Sequence, residues 1–181
     1  SPETLKKAFF HLYFNAFRPG SEMAIRQDNS ADKYARFKID LDSLGPKQEG
    51  FLRVYNLSQN GKSLNVINSE TILEVELETP LFPNETTEFS MDFVGQVPDL
   101  VRRAGKNSRE GIEYSMAQWY PKMCEYDLEG WNADPYTGRE FHGVWGNFDV
   151  KIKIDKEYTV AASGYLQNSD DIGKGYSKRK K

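Results

Sequence analysis

Alternation of apolar and polar residues with a period of two governs this chain. Leu73, Val75 and Leu77 are separated by Glu74, Glu76 and Glu78. Phe89, Met91 and Phe93 alternate with Glu88, Ser90 and Asp92, and Phe148, Val150, Ile152 and Ile154 alternate with Asp149, Lys151, Lys153 and Asp155. Successive side chains of an extended strand point to opposite faces, so each run buries one face and wets the other. Charged outer positions suit antiparallel sheets with one solvated side.

Other stretches read as strands less cleanly. Leu5 to Phe17 is rich in aromatics and reads as a strand buried on both faces for part of its length. Phe51 to Leu57 and Ser63 to Ile67 flank Gln59-Asn60-Gly61-Lys62, and Asn-Gly tolerates the positive φ angles of a tight hairpin turn. Tyr158 to Leu166 is a further candidate strand. Arg18-Pro19-Gly20, Thr79-Pro80, Phe82-Pro83-Asn84 and Gly105-Lys106-Asn107 read as breaks. One short helix is expected near Ser30 to Phe37, with Ser30 as its cap. Seven or eight strands without strand–helix alternation predict an all-β, twisted antiparallel sandwich. It should carry one long aromatic-rich loop region, Tyr114 to Trp145.

With 181 residues the chain is long enough for one domain with a real core. A net charge of -3 provides no global field to attract nucleic acid or an anionic membrane. No apolar run approaches the roughly 20 residues that span a bilayer.

Catalytic patterns are sparse. His11 and His142 are the only histidines, and neither begins H-E-x-x-H, so no catalytic zinc site is expected within the chain. His11 reads as a hydrogen-bonded core or interface residue and His142 as a loop residue. Asp127, Glu129, Asn132, Asp134 and Glu140 are oxygen donors in one loop, but their spacing departs from an EF-hand, and a solvated acidic loop accounts for them. Cys124, the only cysteine, lacks a strongly basic setting apart from Lys122 and reads as a small buried residue. Glu113, Glu125 and Asp127 could supply paired carboxylates for glycoside cleavage, although sequence alone leaves their separation open. The local basic patches, Arg102, Arg103, Lys106 and Arg109, and Lys174 to Lys181, read as solvated turns and tail. Asn56-Leu57-Ser58 and Asn84-Glu85-Thr86 match the glycosylation sequon. Trp119, Tyr120, Trp131, Tyr136 and Trp145 could stack on sugar rings or simply cover a sheet. A free-standing module that recognises carbohydrate or protein through these rings therefore stays open.

Three segments, FFHLYFNAFRPGS (9–21), YSMAQWYPKMCEYDLEGW (114–131) and GREFHGVWGNFDVKIKIDKEYTVAASGYL (138–166), carry a likeness to a known family. Together they resemble the N-terminal β-domain of the aminopeptidase N and leukotriene hydrolase family of zinc metallopeptidases, in its bacterial branch. The resemblance implies a saddle-like β-domain, residues 1–181, cut from a larger enzyme and missing strands at both ends. It implies a periplasmic or exported setting. It also implies that a thermolysin-like catalytic domain of the same polypeptide holds the zinc and every catalytic residue, leaving none of either in this chain. The domain would wall the cleft that receives the peptide substrate. Ala117-Gln118-Trp119-Tyr120 stands where family members carry a segment that holds the substrate's α-amine. Gln118, Trp119 and Tyr120 are thus the implied substrate-binding residues. Tyr120 falls where a Glu or Gln is usual. A phenol brings no charge to match an ammonium, although its ring offers cation–π attraction. That departure puts strict aminopeptidase specificity in doubt.

Overall fold

A computed structural model describes residues 1–28, 40–99, 104–108, 110–138 and 143–172. The chain divides into two compact units, Ser1–Trp145 and Gly146–Lys181.

The first unit is all-β, built of antiparallel sheets. In chain order its elements are β1 (Leu5–His11), α1 (Glu22–Asp28), β2 (Phe51–Gln59), β3 (Lys62–Ser63), β4 (Val66–Ser69), β5 (Ile72–Leu81), β6 (Phe89–Gln96), β7 (Gly105–Lys106), β8 (Tyr114–Ser115), β9 (Lys122–Met123), β10 (Tyr126–Asp127) and β11 (Gly130–Trp131). Strands β4, β5, β1 and β9 form one sheet in that order, and β3, β2 and β6 form another. Two small ribbons, β7–β8 and β10–β11, complete the set.

The alternating runs behave as their period requires. Val75 and Leu73 of β5 are buried while Glu76 and Glu78 are exposed. Phe89, Met91 and Phe93 of β6 turn their side chains toward the core, and Ser90 and Asp92 turn theirs to solvent. The two larger sheets share this core: Phe10 of β1 meets Phe89 of β6 edge-on at 5.7 Å between centroids. Leu12, Phe14, Phe17, Met23, Leu41 and Leu52 fill the remainder, each almost fully buried.

The Asn60-Gly61 turn closes β2 onto β3, with both residues at positive φ (48° and 82°) and Gln59 paired with Lys62. The expected strand Ser63 to Ile67 is, however, divided. Ser63 ends β3, Leu64 and Asn65 cross between sheets, and Val66 begins β4 beside β5. A single strand there would have had to serve two hydrogen-bond ladders at once.

The expected strand Leu5 to Phe17 is also shorter than its aromatic run. Beyond His11 the chain turns into a 3₁₀ segment, Tyr13–Ala16. Asn15 fixes that turn from inside the core. Its Nδ2 donates to the Glu70 carbonyl at 2.8 Å, and its Oδ1 accepts from the Leu52 amide at 2.6 Å. Leaving such buried groups unpaired would cost roughly 1–3 kcal/mol each. Next to it, Gly50 donates its N–H to the Phe17 carbonyl at 2.7 Å, and a Cβ at this position would lie 2.6 Å from the Phe14 carbonyl oxygen. Only glycine lets the two backbones approach so closely.

Pro80 and Leu81, read from sequence as loop, extend β5, and Leu81 pairs with Leu5. Gly105 and Lys106 form β7 and pair with β8, so the expected break lies just after them. The helix expected near Ser30 to Phe37 and the tail Gly173 to Lys181 fall outside the described residues.

The second unit departs most from expectation. Residues 146–168 adopt no regular element, and α2 (Ser169–Ile172) is a single turn. The alternating run Phe148 to Asp155 and the stretch Tyr158 to Leu166 are therefore not strands. Val150, Ile152 and Ile154 are 55%, 55% and 49% exposed. Alternation marks a strand only when a neighbour satisfies its N–H and C=O groups, and the described residues of this unit provide no such neighbour.

Candidate functional site

The aromatic-rich stretch is pinned to the first unit at several points. At its start β8 pairs with β7. Downstream, β9 joins the edge of β1, with Met123 opposite Phe10 and Lys122 opposite His11, and the Cys124 amide donates to the Phe9 carbonyl at 2.8 Å. The β10–β11 hairpin follows, and Trp131 covers Phe9 at 5.7 Å and Tyr126 at 5.3 Å. Tyr136 then enters the core, 4.7 Å from the Tyr13 ring, while its backbone N–H donates to Thr71 Oγ1 at 2.8 Å. Four of the five rings singled out from sequence thus pack on the scaffold, as covering side chains do. Trp145 differs: it is 99% exposed.

Gln118, Trp119 and Tyr120 occupy the bend between β8 and β9. Trp119 packs on Phe93 of β6 at 6.0 Å, and Tyr120 meets Trp119 edge-on at 5.4 Å. Ala117 is half-buried against the core. Between these anchors Gln118 has a φ of 56°, in the left-handed region. For a residue with a Cβ this conformation costs on the order of 1 kcal/mol or more. Gln118 is half-buried, and among the described residues its side-chain amide makes no hydrogen bond. A strained backbone and an uncommitted amide therefore coincide at one anchored residue.

His11 ends β1 and Cys124 directly follows β9, its pairing neighbour; they are 2% and 1% exposed. Burial first, and the charge of Lys122 second, lower the His11 pKa to about 4 despite the opposing pull of Asp134. Burial, helped by Asp134, pushes the Cys124 thiol up to about 12. Both groups are consequently neutral at pH 7. A nucleophilic cysteine needs the reverse, a thiolate beside an imidazolium. The constellation of His11, Lys122, Cys124 and Asp134 is one that sequence reasoning missed, because only the pairing of β1 with β9 brings it together.

The remaining candidates disperse. Asp127 uses both carboxylate oxygens on its own turn, accepting from the Glu129 amide at 2.8 Å and from Asn132 Nδ2 at 2.9 Å. Among the described residues no three His, Cys, Asp or Glu side chains gather as a metal would require. Glu113 is exposed and Glu125 half-buried. Lys106 Nζ donates to the Lys47 carbonyl at 2.6 Å. Asn56 of the first sequon sits at the β2 bulge and donates to Asp92 at 2.8 Å, whereas Asn84 lies exposed in a turn. His142, Glu140, Arg102, Arg103 and Arg109 fall outside the described residues. No helix among the described residues is long and apolar enough to cross a membrane.

The chain matches no family model, no curated protein and no solved structure.

Proposed function

We propose that this chain is a non-catalytic β-domain of a zinc aminopeptidase-like metallopeptidase, docking on the catalytic domain and walling its substrate cleft. The observation that carries the reading is Gln118. Natural chains retain backbone strain where the surrounding structure holds a residue for a task, and here the strained residue also has an amide without a hydrogen bond among the described residues. Within the segment that the resemblance marks as substrate-facing, Tyr120 stands at the amine-holding position without a charge, which leaves Gln118, the segment's first Gln, as the amide able to take that role. The amide carbonyl of Gln118 would accept from a peptide's α-ammonium, and the faces of Trp119 and Tyr120 would line the approach. Zinc, the general base and the activated water would come from the catalytic domain, whose metal polarises the scissile carbonyl.

The test is steady-state kinetics of the polypeptide that joins this chain to its catalytic domain. Gln118→Ala removes one hydrogen bond to a charged group, a loss of about 1.5–3 kcal/mol, and should lower kcat/KM for substrates with a free amine roughly 10- to 100-fold. N-acetylated substrates should lose nothing. Equal losses for both substrate types, or none, would refute the assignment. A free-standing recognition module is the second reading, and full exposure of Trp145 favours it. Binding to a glycan or protein panel that disappears in Trp145→Ala would establish that alternative.

A further inference from the structure

Two surfaces of this chain are unfinished strands of opposite character. β6 is an edge among the described residues: there it pairs only with β2, and its eight residues present every second N–H and C=O away from that neighbour. Its wet face carries Ser90, Asp92 and Val94, the last 48% exposed, and its other face carries Phe89, Met91 and Phe93, all only half-buried. The second surface is the run Asp149 to Ile154. It has the polarity of a strand without the ladder, with Val150, Ile152 and Ile154 exposed and Lys151 and Lys153 between them.

We infer that the chain self-associates by strand addition, with residues Asp149 to Ile154 of one copy joining the free edge of β6 in a second copy as an antiparallel strand. Two registers set Asp92 against a lysine, and one of them also keeps all three apolar pairs. Asp92 opposite Lys151 places Ser90 opposite Lys153, and on the other face it aligns Phe93 with Val150, Met91 with Ile152 and Phe89 with Ile154. A shift of two residues in one direction sets Asp92 against Asp149, an opposition of like charges that disfavours it. A shift of one residue puts apolar side chains on the wet face. The same edge and the same run occur in both copies, so each copy can give one strand and receive one, and the reciprocal exchange inferred here closes as a two-fold dimer. Extended-strand addition derives affinity from main-chain hydrogen bonds and specificity from alternate side chains, and both are available here.

The experiment is light scattering on the full chain over a range of concentrations, paired with amide hydrogen exchange. The expected species is a dimer of twice 20.8 kDa, with Val150 to Ile154 protected from exchange. Lys151→Glu with Lys153→Glu alters only exposed side chains and should weaken the dimer at least tenfold. Adding Asp92→Lys to that variant should restore it. A monomer at every concentration overturns the inference, whether or not the run is protected. A dimer indifferent to the lysine reversals, or one in which Val150 to Ile154 exchange freely, overturns it as well. None of these readings involves zinc or peptide, so they stand or fall separately from the proposed function.

Discussion

His11 sits where a positive charge is disfavoured, and this makes it the residue whose titration reports the fold. Its pKa falls from 6.5 to about 4 on folding, chiefly through burial. Above pH 6.5 both folded and unfolded chains hold it neutral, and its contribution to stability is complete. Between 6.5 and about 4 the unfolded chain takes up a proton that the folded one refuses. Stability is lost across that window, by roughly 3 kcal/mol at its lower end. Urea midpoints measured from pH 7 to pH 4 should therefore fall more steeply for the native chain than for His11→Asn. Parallel curves would show that His11 does not resist protonation. Gln118 is the other telling residue, and the kinetic prediction made for it rests on one amide and one φ angle.

The elements show what could be read from sequence and what could not. β5 and β6 follow their alternation closely because each has a partner on at least one side, so the pattern and the ladder agree. The Asn60-Gly61 turn was equally legible, since its backbone chemistry is local. Leu5 to Phe17 misled because aromatic residues pack equally well on a strand and on the 3₁₀ turn that follows, and only the buried amide of Asn15 decides where one becomes the other. Phe148 to Asp155 misled for the opposite reason: its pattern is correct for a strand, but a pattern supplies no hydrogen-bonding neighbour. The aromatic stretch was legible as an important region and opaque in its details. Anchoring depends on contacts between distant positions, such as Trp131 with Phe9. The β10–β11 hairpin is a lid over that side of β1, and Trp131 is its main contact. Trp131→Ala should destabilise the first unit by about 2–3 kcal/mol, below the loss for a fully buried ring. It should also speed alkylation of Cys124, a buried thiol whose backbone N–H is bonded to Phe9, the residue that Trp131 covers. Unchanged stability and thiol reactivity would mean that the hairpin rests on β1 without supporting it.

At the scale of the whole molecule, the chain is stronger in shape than in chemistry. Its only cysteine is a buried neutral thiol, and its one described histidine is a buried neutral imidazole. Its acidic loop is occupied in holding its own turn. What it offers are surfaces: a strained glutamine beside a packed tryptophan, a sheet edge free among the described residues, and an amphipathic run exposed to solvent. Those suit a domain that completes another surface. The most direct measurement is peptide hydrolysis by the separately expressed catalytic domain of the proposed parent metallopeptidase, with and without residues 1–181 added in trans. The account predicts that the added chain is inert by itself with zinc present, yet raises kcat/KM for free-amine substrates, and that Gln118→Ala reduces that gain. Hydrolysis by the chain alone, or kinetics of the catalytic domain unchanged by saturating chain, would contradict it.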